Sequence, residues 1–333
     1  RGWARQHERF SPTTGQSQPV DPDPERPLRI GYVSADFREH SVAYFIEPVW
    51  SRIDRARYAT YVYDNFAGDQ DSTSRRLQGY ADVWRRVAAL SDSELVQRIS
   101  DDQVDILVDL SGHTGGNRLP VFGRRAAPVQ ATWFSYMNTT GLSAMDYRIT
   151  DDWHTSPGEE RYYTETLIRI PCCACFAPAP ESPAVNALPA VTNGFVTFAS
   201  FNNWTKVSEQ VISAWVRILA STPGSRLLAV VQGGDDPAVR KGIQEAFAAH
   251  GIEPHKLKVL ATRPMGEFLR LFHDVDIALD SFPYTGGTTT LNTLWMGAPI
   301  VTLQSEGETG RCTAGYLRSM GLADLISYSI DGY

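Results

Sequence analysis

Val275-Asp276-Ile277-Ala278-Leu279-Asp280-Ser281-Phe282-Pro283-Tyr284-Thr285-Gly286-Gly287-Thr288-Thr289-Thr290-Leu291-Asn292-Thr293-Leu294-Trp295-Met296 reads as one unit of an open parallel sheet. Val275 to Leu279 is a short apolar run of strand length, Asp280 to Gly287 is rich in turn formers, and Thr288 to Met296 predicts a helix. A glycine pair followed by hydroxyl residues at a helix start presents N–H groups and the positive end of the helix dipole, which suits a phosphate. Threonine also caps helices routinely, and the spacing is neither a P-loop nor G-x-G-x-x-G. The segment alone therefore fixes strand, turn and helix, and leaves phosphate binding as one of two readings.

The same rhythm extends in both directions. Phe195 to Phe201, Arg226 to Val231, Leu257 to Ala261 and Pro299 to Leu303 predict strands, with helices over Ser208 to Ala220, Asp236 to Ala249 and Met265 to His273. In Ser208 to Ala220, Val211, Ile212, Trp215, Ile218 and Leu219 share one face, which predicts a core-facing stripe. An earlier series repeats the pattern: strands at Leu28 to Val33, Tyr61 to Tyr63, Val104 to Leu110 and Val129 to Phe134, and a helix over Ser93 to Ser100. Between the two series Ala177 to Ala190 is rich in Pro and Ala and has neither period. Ser11 to Pro27 is polar and reads as a linker, with Trp3 and Phe10 as the end of a helix upstream. The expected organisation is a helix remnant and linker over residues 1–27, a first domain over 28–190 and a second over 191–333. The fold class is α/β, two tandem Rossmann-like domains.

Composition agrees. With 333 residues, 42% apolar and 21% charged, the chain can build two cores and lies far from the disordered regime. A net charge of -7 and dispersed arginine pairs (Arg75/Arg76, Arg85/Arg86, Arg124/Arg125) exclude the concentrated basic footprint of a nucleic-acid binder. No apolar run approaches the roughly 20 residues that cross a bilayer, and Arg1 to Arg5 leads into polar sequence, so no membrane is expected and the cytoplasm is the expected location. The four cysteines, Cys172, Cys173, Cys175 and Cys312, form no disulfide framework. C-C-x-C also lacks the paired spacing of a zinc site, so no metal is expected.

In open parallel sheets ligands sit beyond the carboxyl ends of the strands, which directs attention to the turns there. Besides Gly286 to Thr289, three stand out. Asn202-Asn203-Trp204-Thr205-Lys206 carries one of only four lysines in the chain, where a cation could meet a pyrophosphate leaving group. Ser34 to Ser41 and Ser111 to Arg118 each offer a histidine, His40 and His113, suited to hydrogen bonding or proton transfer near neutrality. Asp274-Val275-Asp276 matches the D-x-D pattern of some nucleotide-sugar enzymes, but it enters a strand rather than leaving one and reads as structural. G-x-S-x-G, H-E-x-x-H and G-x-x-x-x-G-K-[ST] are absent from the sequence.

Six ordered blocks carry a family resemblance: Leu28 to His40, Asp105 to Arg118, Ala127 to Trp133, Asp146 to Asp151, Phe198 to Lys206 and Asp280 to Leu303. Together they resemble the catalytic region of the O-linked N-acetylglucosamine transferase family, which includes bacterial homologues and the plant SPINDLY branch. The resemblance implies a GT-B fold, two Rossmann-like domains facing a cleft, with the nucleotide-sugar held mainly by the C-terminal one. It implies inverting, metal-independent transfer of N-acetylglucosamine from UDP-N-acetylglucosamine to Ser or Thr of protein acceptors, with no cofactor. It also implies tetratricopeptide repeats before the catalytic region and a further helix after it, neither of which is expected within these 333 residues.

On that resemblance Lys206 contacts the diphosphate, Gly286, Gly287, Thr288 and Thr289 form the phosphate-binding helix start, and His40 and His113 position sugar or acceptor. Asn202 and Asn203 line the donor site, although Asn203 stands where animal members have glutamine. Phe268 replaces a base-stacking histidine, and Asn292 replaces a ribose-side aspartate. Phe134-Ser135-Tyr136-Met137 departs from the usual L-G-Y-P. The SPINDLY branch uses GDP-fucose, so that sugar nucleotide is a second candidate donor. An epimerase, or a nucleotide-sugar-binding module without transfer, would also suit a two-domain fold of this kind.

Overall fold

In the computed structural model the described residues are Gly2, Asp23 and residues 25–333 except 135. The expected helix end at Trp3 and Phe10 and most of the expected linker lie outside them. Where the linker meets the first strand it is anchored, since Arg26 forms a two-pronged pair with the Asp105 carboxylate at 2.6 and 2.7 Å.

Two compact units part between Ala177 and Pro178. In the first, strands β1 (Leu28–Ser34), β2 (Tyr58–Asp64), β3 (Val83–Arg86), β4 (Ile106–Asp109), β5 (Val129–Trp133), β6 (Tyr147–Thr150) and β7 (Thr166–Arg169) alternate with helices α1 (Ser41–Trp50), α2 (Ser72–Gln78), α3 (Asp92–Asp101) and α4 (Leu119–Gly123) as far as β5. The sheet is parallel, in the order β3-β2-β1-β4-β5-β6-β7. Its register explains the apolar runs. Tyr32, Val62 and Val108 lie side by side and feed one core, while their neighbours Val33, Tyr63 and Leu107 feed the core on the opposite face. Helix α3 starts on a capping box, Ser91 with Glu94, and buries Leu95 and Ile99 one turn apart.

The second unit repeats the plan. Helix α5 (Pro189–Asn193) leads into β8 (Thr197–Ser200), followed by α6 (Glu209–Ser221), β9 (Arg226–Val231), α7 (Pro237–Ala248), β10 (Leu257–Ala261), α8 (Met265–Arg270), β11 (Ile277–Leu279), α9 (Thr288–Trp295), β12 (Ile300–Leu303), α10 (Gly307–Ser319) and β13 (Ile326–Ser327). Its parallel order is β10-β9-β8-β11-β12-β13. The predicted stripe of α6 faces the core: Val211, Trp215 and Leu219 are buried, and Ile212 and Ile218 pack against the same core while partly exposed. Met265 to His273 is not one helix, because α8 tightens into a 3₁₀ turn at Leu271–Asp274.

The Pro- and Ala-rich stretch expected to end the first domain is held on the second. The Ala190 N–H donates to Asp276 at 2.8 Å, Asn186 Nδ2 donates to the His273 carbonyl at 3.0 Å, and His273 Nε2 donates to the Ala184 carbonyl at 2.9 Å. A segment without periodicity is thus fixed by hydrogen bonds that sequence patterning does not register. Among the described residues no helix is long and apolar enough to cross a membrane.

Candidate functional site

Each sheet has one place where strand order reverses: between β1 and β4 in the first unit, and between β8 and β11 in the second. At such a point the connections leave in opposite directions and open a crevice at the carboxyl ends. All four turns singled out from the sequence leave these strands.

In the second unit the organiser is Asp280, fully buried at the end of β11. Its Oδ1 accepts from Asn202 Nδ2 at 2.7 Å, the Ser281 N–H at 2.9 Å and the Gly286 N–H at 2.8 Å, and its Oδ2 accepts from the Thr302 hydroxyl at 2.7 Å. Burial pushes this carboxyl above its ordinary range, and the donors around it pull the other way. Asn202 then bridges the two turns, because its Oδ1 accepts from the Thr289 hydroxyl at 3.0 Å. Gly286 has no room for a side chain: a Cβ would lie 2.3 Å from Thr290 Oγ1.

Gly287 begins α9 without any side-chain cap, which leaves first-turn N–H groups and the dipole end for an outside acceptor. Lys206 closes a short 3₁₀ turn, Trp204–Lys206, and its Nζ donates to the Thr285 carbonyl at 2.9 Å while lying 3.9 Å from the centre of the Tyr284 ring. Burial holds its pKa below the ordinary lysine value, with Asp280 and Cys312 opposing. One ammonium and one uncapped helix start are thus brought to the same turn.

Phe268 packs edge-on against Phe201 and Phe272, each with ring centres 5.4 Å away, beside the end of β8. Asn292 is buried on α9. Asn203 Oδ1 accepts from the Thr205 N–H at 3.1 Å and the Thr205 hydroxyl at 3.0 Å, so its carbonyl caps the lysine-bearing turn. Asp276 accepts from the N–H groups of Ala190 and Thr197, both at 2.8 Å, at the amino end of the sheet, which makes the D-x-D pattern structural as read. A cavity of about 470 Å³ also opens at that amino edge, lined by Phe195, Arg226 and Lys258 among others, and is distinct from the carboxyl-edge turns.

In the first unit Asp109 ends β4, fully buried, and accepts from the Ser111 N–H at 3.1 Å, the Gly112 N–H at 2.9 Å and the Thr132 hydroxyl at 2.8 Å. Gly112 turns with φ +53°, and a Cβ there would meet that of Tyr136 at 2.3 Å. His113 Nε2 lies 2.9 Å from the Thr140 carbonyl. A carbonyl only accepts, so Nε2 carries the proton and Nδ1 is the basic nitrogen of the neutral ring. His40 is the reverse. Its Nδ1 accepts from the Val42 N–H at 3.3 Å, capping α1, so the neutral ring presents Nε2–H as a donor. Burial lowers its pKa below 6.5, with Asp36 opposing.

Residues 16–176 and 185–333 match the profile of glycosyl transferase family 41. The chain belongs to this family. The family-41 fold is shared with a solved mutant of the Thermobaculum terrenum O-GlcNAc transferase: 40% identity, TM-score 0.92, covering 100% of this chain and 63% of that one. The GT-B-like α/β class expected from the sequence, two tandem Rossmann-like units, is borne out. Petunia hybrida has a relative described as a probable UDP-N-acetylglucosamine–peptide N-acetylglucosaminyltransferase SPINDLY, 37% identical over 93% of this chain and 34% of its own length. The Arabidopsis thaliana relative SEC, described in the same terms, is 27% identical over 92% of this chain and 32% of its own. The family-41 chain thus spans about a third of the length of the curated relatives it matches.

One group of residues escaped the sequence reading: Asp109 and Asp280, with Thr132 and Thr302 beside them. Each aspartate was visible as the end of a strand, but its partner threonine sits on the neighbouring strand and only register joins the two.

Proposed function

We propose that this chain is the catalytic region of a protein O-glycosyltransferase that moves N-acetylglucosamine from UDP-N-acetylglucosamine to Ser or Thr hydroxyls by inverting, metal-independent displacement. The observation that carries the reading is the Lys206 ammonium beside the uncapped start of α9. In such a displacement the acceptor oxygen bonds to the anomeric carbon, the bond to the diphosphate oxygen breaks, and the hydroxyl proton passes to a base. Negative charge grows on the leaving oxygen, and Lys206 with the amides of Gly287, Thr288 and Thr289 is suited to meet it. His113, whose Nδ1 is basic, suits proton acceptance, while His40 suits donation to an oxygen of sugar or acceptor. The relatives' names support the UDP-N-acetylglucosamine donor. GDP-fucose, implied by the resemblance to the SPINDLY branch, is the second donor to test, because identity to the SPINDLY relative exceeds that to SEC.

The test is calorimetry with both donors, followed by mass spectrometry of lysate proteins incubated with the one that binds. A modified Ser or Thr is expected. Conversion of donor without peptide would instead indicate an epimerase, and tight binding without turnover a binding module. At saturating donor, Lys206→Ala should lose on the order of a hundred- to a thousandfold in turnover, about 3 to 4 kcal/mol. Turnover close to that of the unmodified chain would remove Lys206 from the role.

A further inference from the structure

Away from the switch points, three side chains of metal-binding type converge in the first unit. Asp151 follows β6, His154 lies three residues further on, and Cys173 follows β7, so the pairing of β6 with β7 brings them together. One carboxylate oxygen, one ring nitrogen and the sulfur lie within 4.8 Å of one another, and all three residues are buried. His154 Nδ1 is 2.8 Å from Asp151 Oδ1 and 3.6 Å from Cys173 Sγ.

A nucleophilic Cys–His–Asp relay divides its two ring nitrogens between sulfur and carboxylate. Here both face the same nitrogen. A set of one thiolate, one imidazole and one carboxylate is instead what a borderline-soft divalent ion takes. The 3.6 Å between nitrogen and sulfur fits an ion with ligands at about 2.0 and about 2.3 Å in a tetrahedral field, and the 2.8 Å between nitrogen and oxygen, a hydrogen bond in the metal-free site, opens to about 3.3 Å on binding. The ligands are also held from behind. Asp151 Oδ1 accepts from the Trp153 and His154 N–H groups at 3.0 and 2.8 Å, and Oδ2 accepts from the Cys173 N–H at 2.9 Å. Trp133 Nε1, at the end of β5, donates to the Cys173 carbonyl at 3.1 Å.

We propose that Asp151, His154 and Cys173 bind one divalent ion of the zinc class, stapling the turn after β6 to the segment leaving β7. On binding, the thiol releases its proton to solvent. The proton that Nδ1 of the metal-free ring donates to Asp151 is displaced, so that the neutral imidazole coordinates through Nδ1 with its one proton on Nε2, and the carboxylate gives one oxygen; no electron changes hands. The three ligands belong to the first unit and are none of the residues proposed to hold the diphosphate.

Cobalt(II) titrated into the metal-stripped full chain tests the site. A thiolate-to-cobalt charge-transfer band with tetrahedral d–d absorption is expected, saturating at about one equivalent and bleached by zinc. The double variant Cys172→Ser/Cys175→Ser, which removes the two exposed thiols, should keep the band. Cys173→Ser should lose it, and zinc should raise the unfolding temperature of the unmodified chain. No band in the unmodified chain, or its loss in the double variant, overturns the site however Cys173→Ser folds. A band that persists in Cys173→Ser overturns it as well.

Discussion

The strands β4 and β11 end in the same corner and then go different ways. Asp109 and Asp280 are both fully buried, both accept from backbone N–H groups of the turn that follows, and both take a threonine hydroxyl from the next strand. Beyond that corner the first unit swings round Gly112 to fix a histidine ring against the Thr140 carbonyl. The second runs through Tyr284 and Thr285 to an uncapped helix with a lysine beside it. The corner is a fold device, present where donor chemistry is proposed and where it is not. What distinguishes the two sites is the length of the turn and the side chains it delivers, so function is to be sought in the difference.

The strongest way to break that view is to remove each carboxylate. Asp280→Ala and Asp109→Ala each leave several buried donors without an acceptor, at about 1 to 3 kcal/mol per donor. Each should therefore destabilise by about 3 kcal/mol or more, with the larger loss at Asp280, which holds an additional amide from Asn202. Urea unfolding measures the loss, and calorimetry with UDP-N-acetylglucosamine separates the roles. Binding should vanish in Asp280→Ala and survive in Asp109→Ala wherever that variant is folded. Equal loss of binding in the two would show that donor binding depends on both corners alike, and not on the difference between the turns that follow them.

A gentler change sharpens the comparison. Thr132→Val and Thr302→Val keep side-chain shape and delete one donor to a buried carboxylate, at distances of 2.8 and 2.7 Å. Each should cost about 1 to 2 kcal/mol, and nearly the same amount, in the urea midpoint. A clear inequality would mean that one aspartate is satisfied by other donors; the Thr313 hydroxyl beside Asp280 is the candidate.

The part of this that patterning reveals is the part carried by local period. Apolar strand runs, a capped amphipathic helix and the turns at strand ends are local, and they disclosed the two α/β units and the position of Lys206 and Gly286 to Thr289. Helix α10 was missed because it buries every residue from Gly310 to Leu317, small and polar ones included, so its buried positions do not follow the apolar residues of the sequence. The short strands β6 and β7 were missed because Tyr147-Arg148-Ile149-Thr150 and Thr166-Leu167-Ile168-Arg169 are half polar and lack the apolar run that discloses the equally short β11 and β12. The Asp151, His154 and Cys173 cluster was hidden because C-C-x-C draws its partners from another strand, through pairing rather than spacing.

The smallest effect separates the two switch points by pH. After β1 the following helix is capped by His40 Nδ1; after β8 the following turn is capped by Asn203 Oδ1. An amide does not titrate, whereas an imidazole that gains a proton on Nδ1 turns from acceptor to donor and loses the cap. His40 has its folded pKa lowered below 6.5 by burial, with Arg38 adding to that and Asp36 opposing. A depressed folded value means that its contribution is present above the unfolded pKa and is lost as pH falls through the folded one. The first unit should therefore weaken on going below about pH 6.5, by up to about 1 kcal/mol, the worth of one helix cap. His40→Asn makes the first cap resemble the second and should flatten this fall. Unfolding midpoints at about pH 7.5 and about pH 5 decide the matter, because parallel losses in the two proteins would mean that the cap does not respond to the proton.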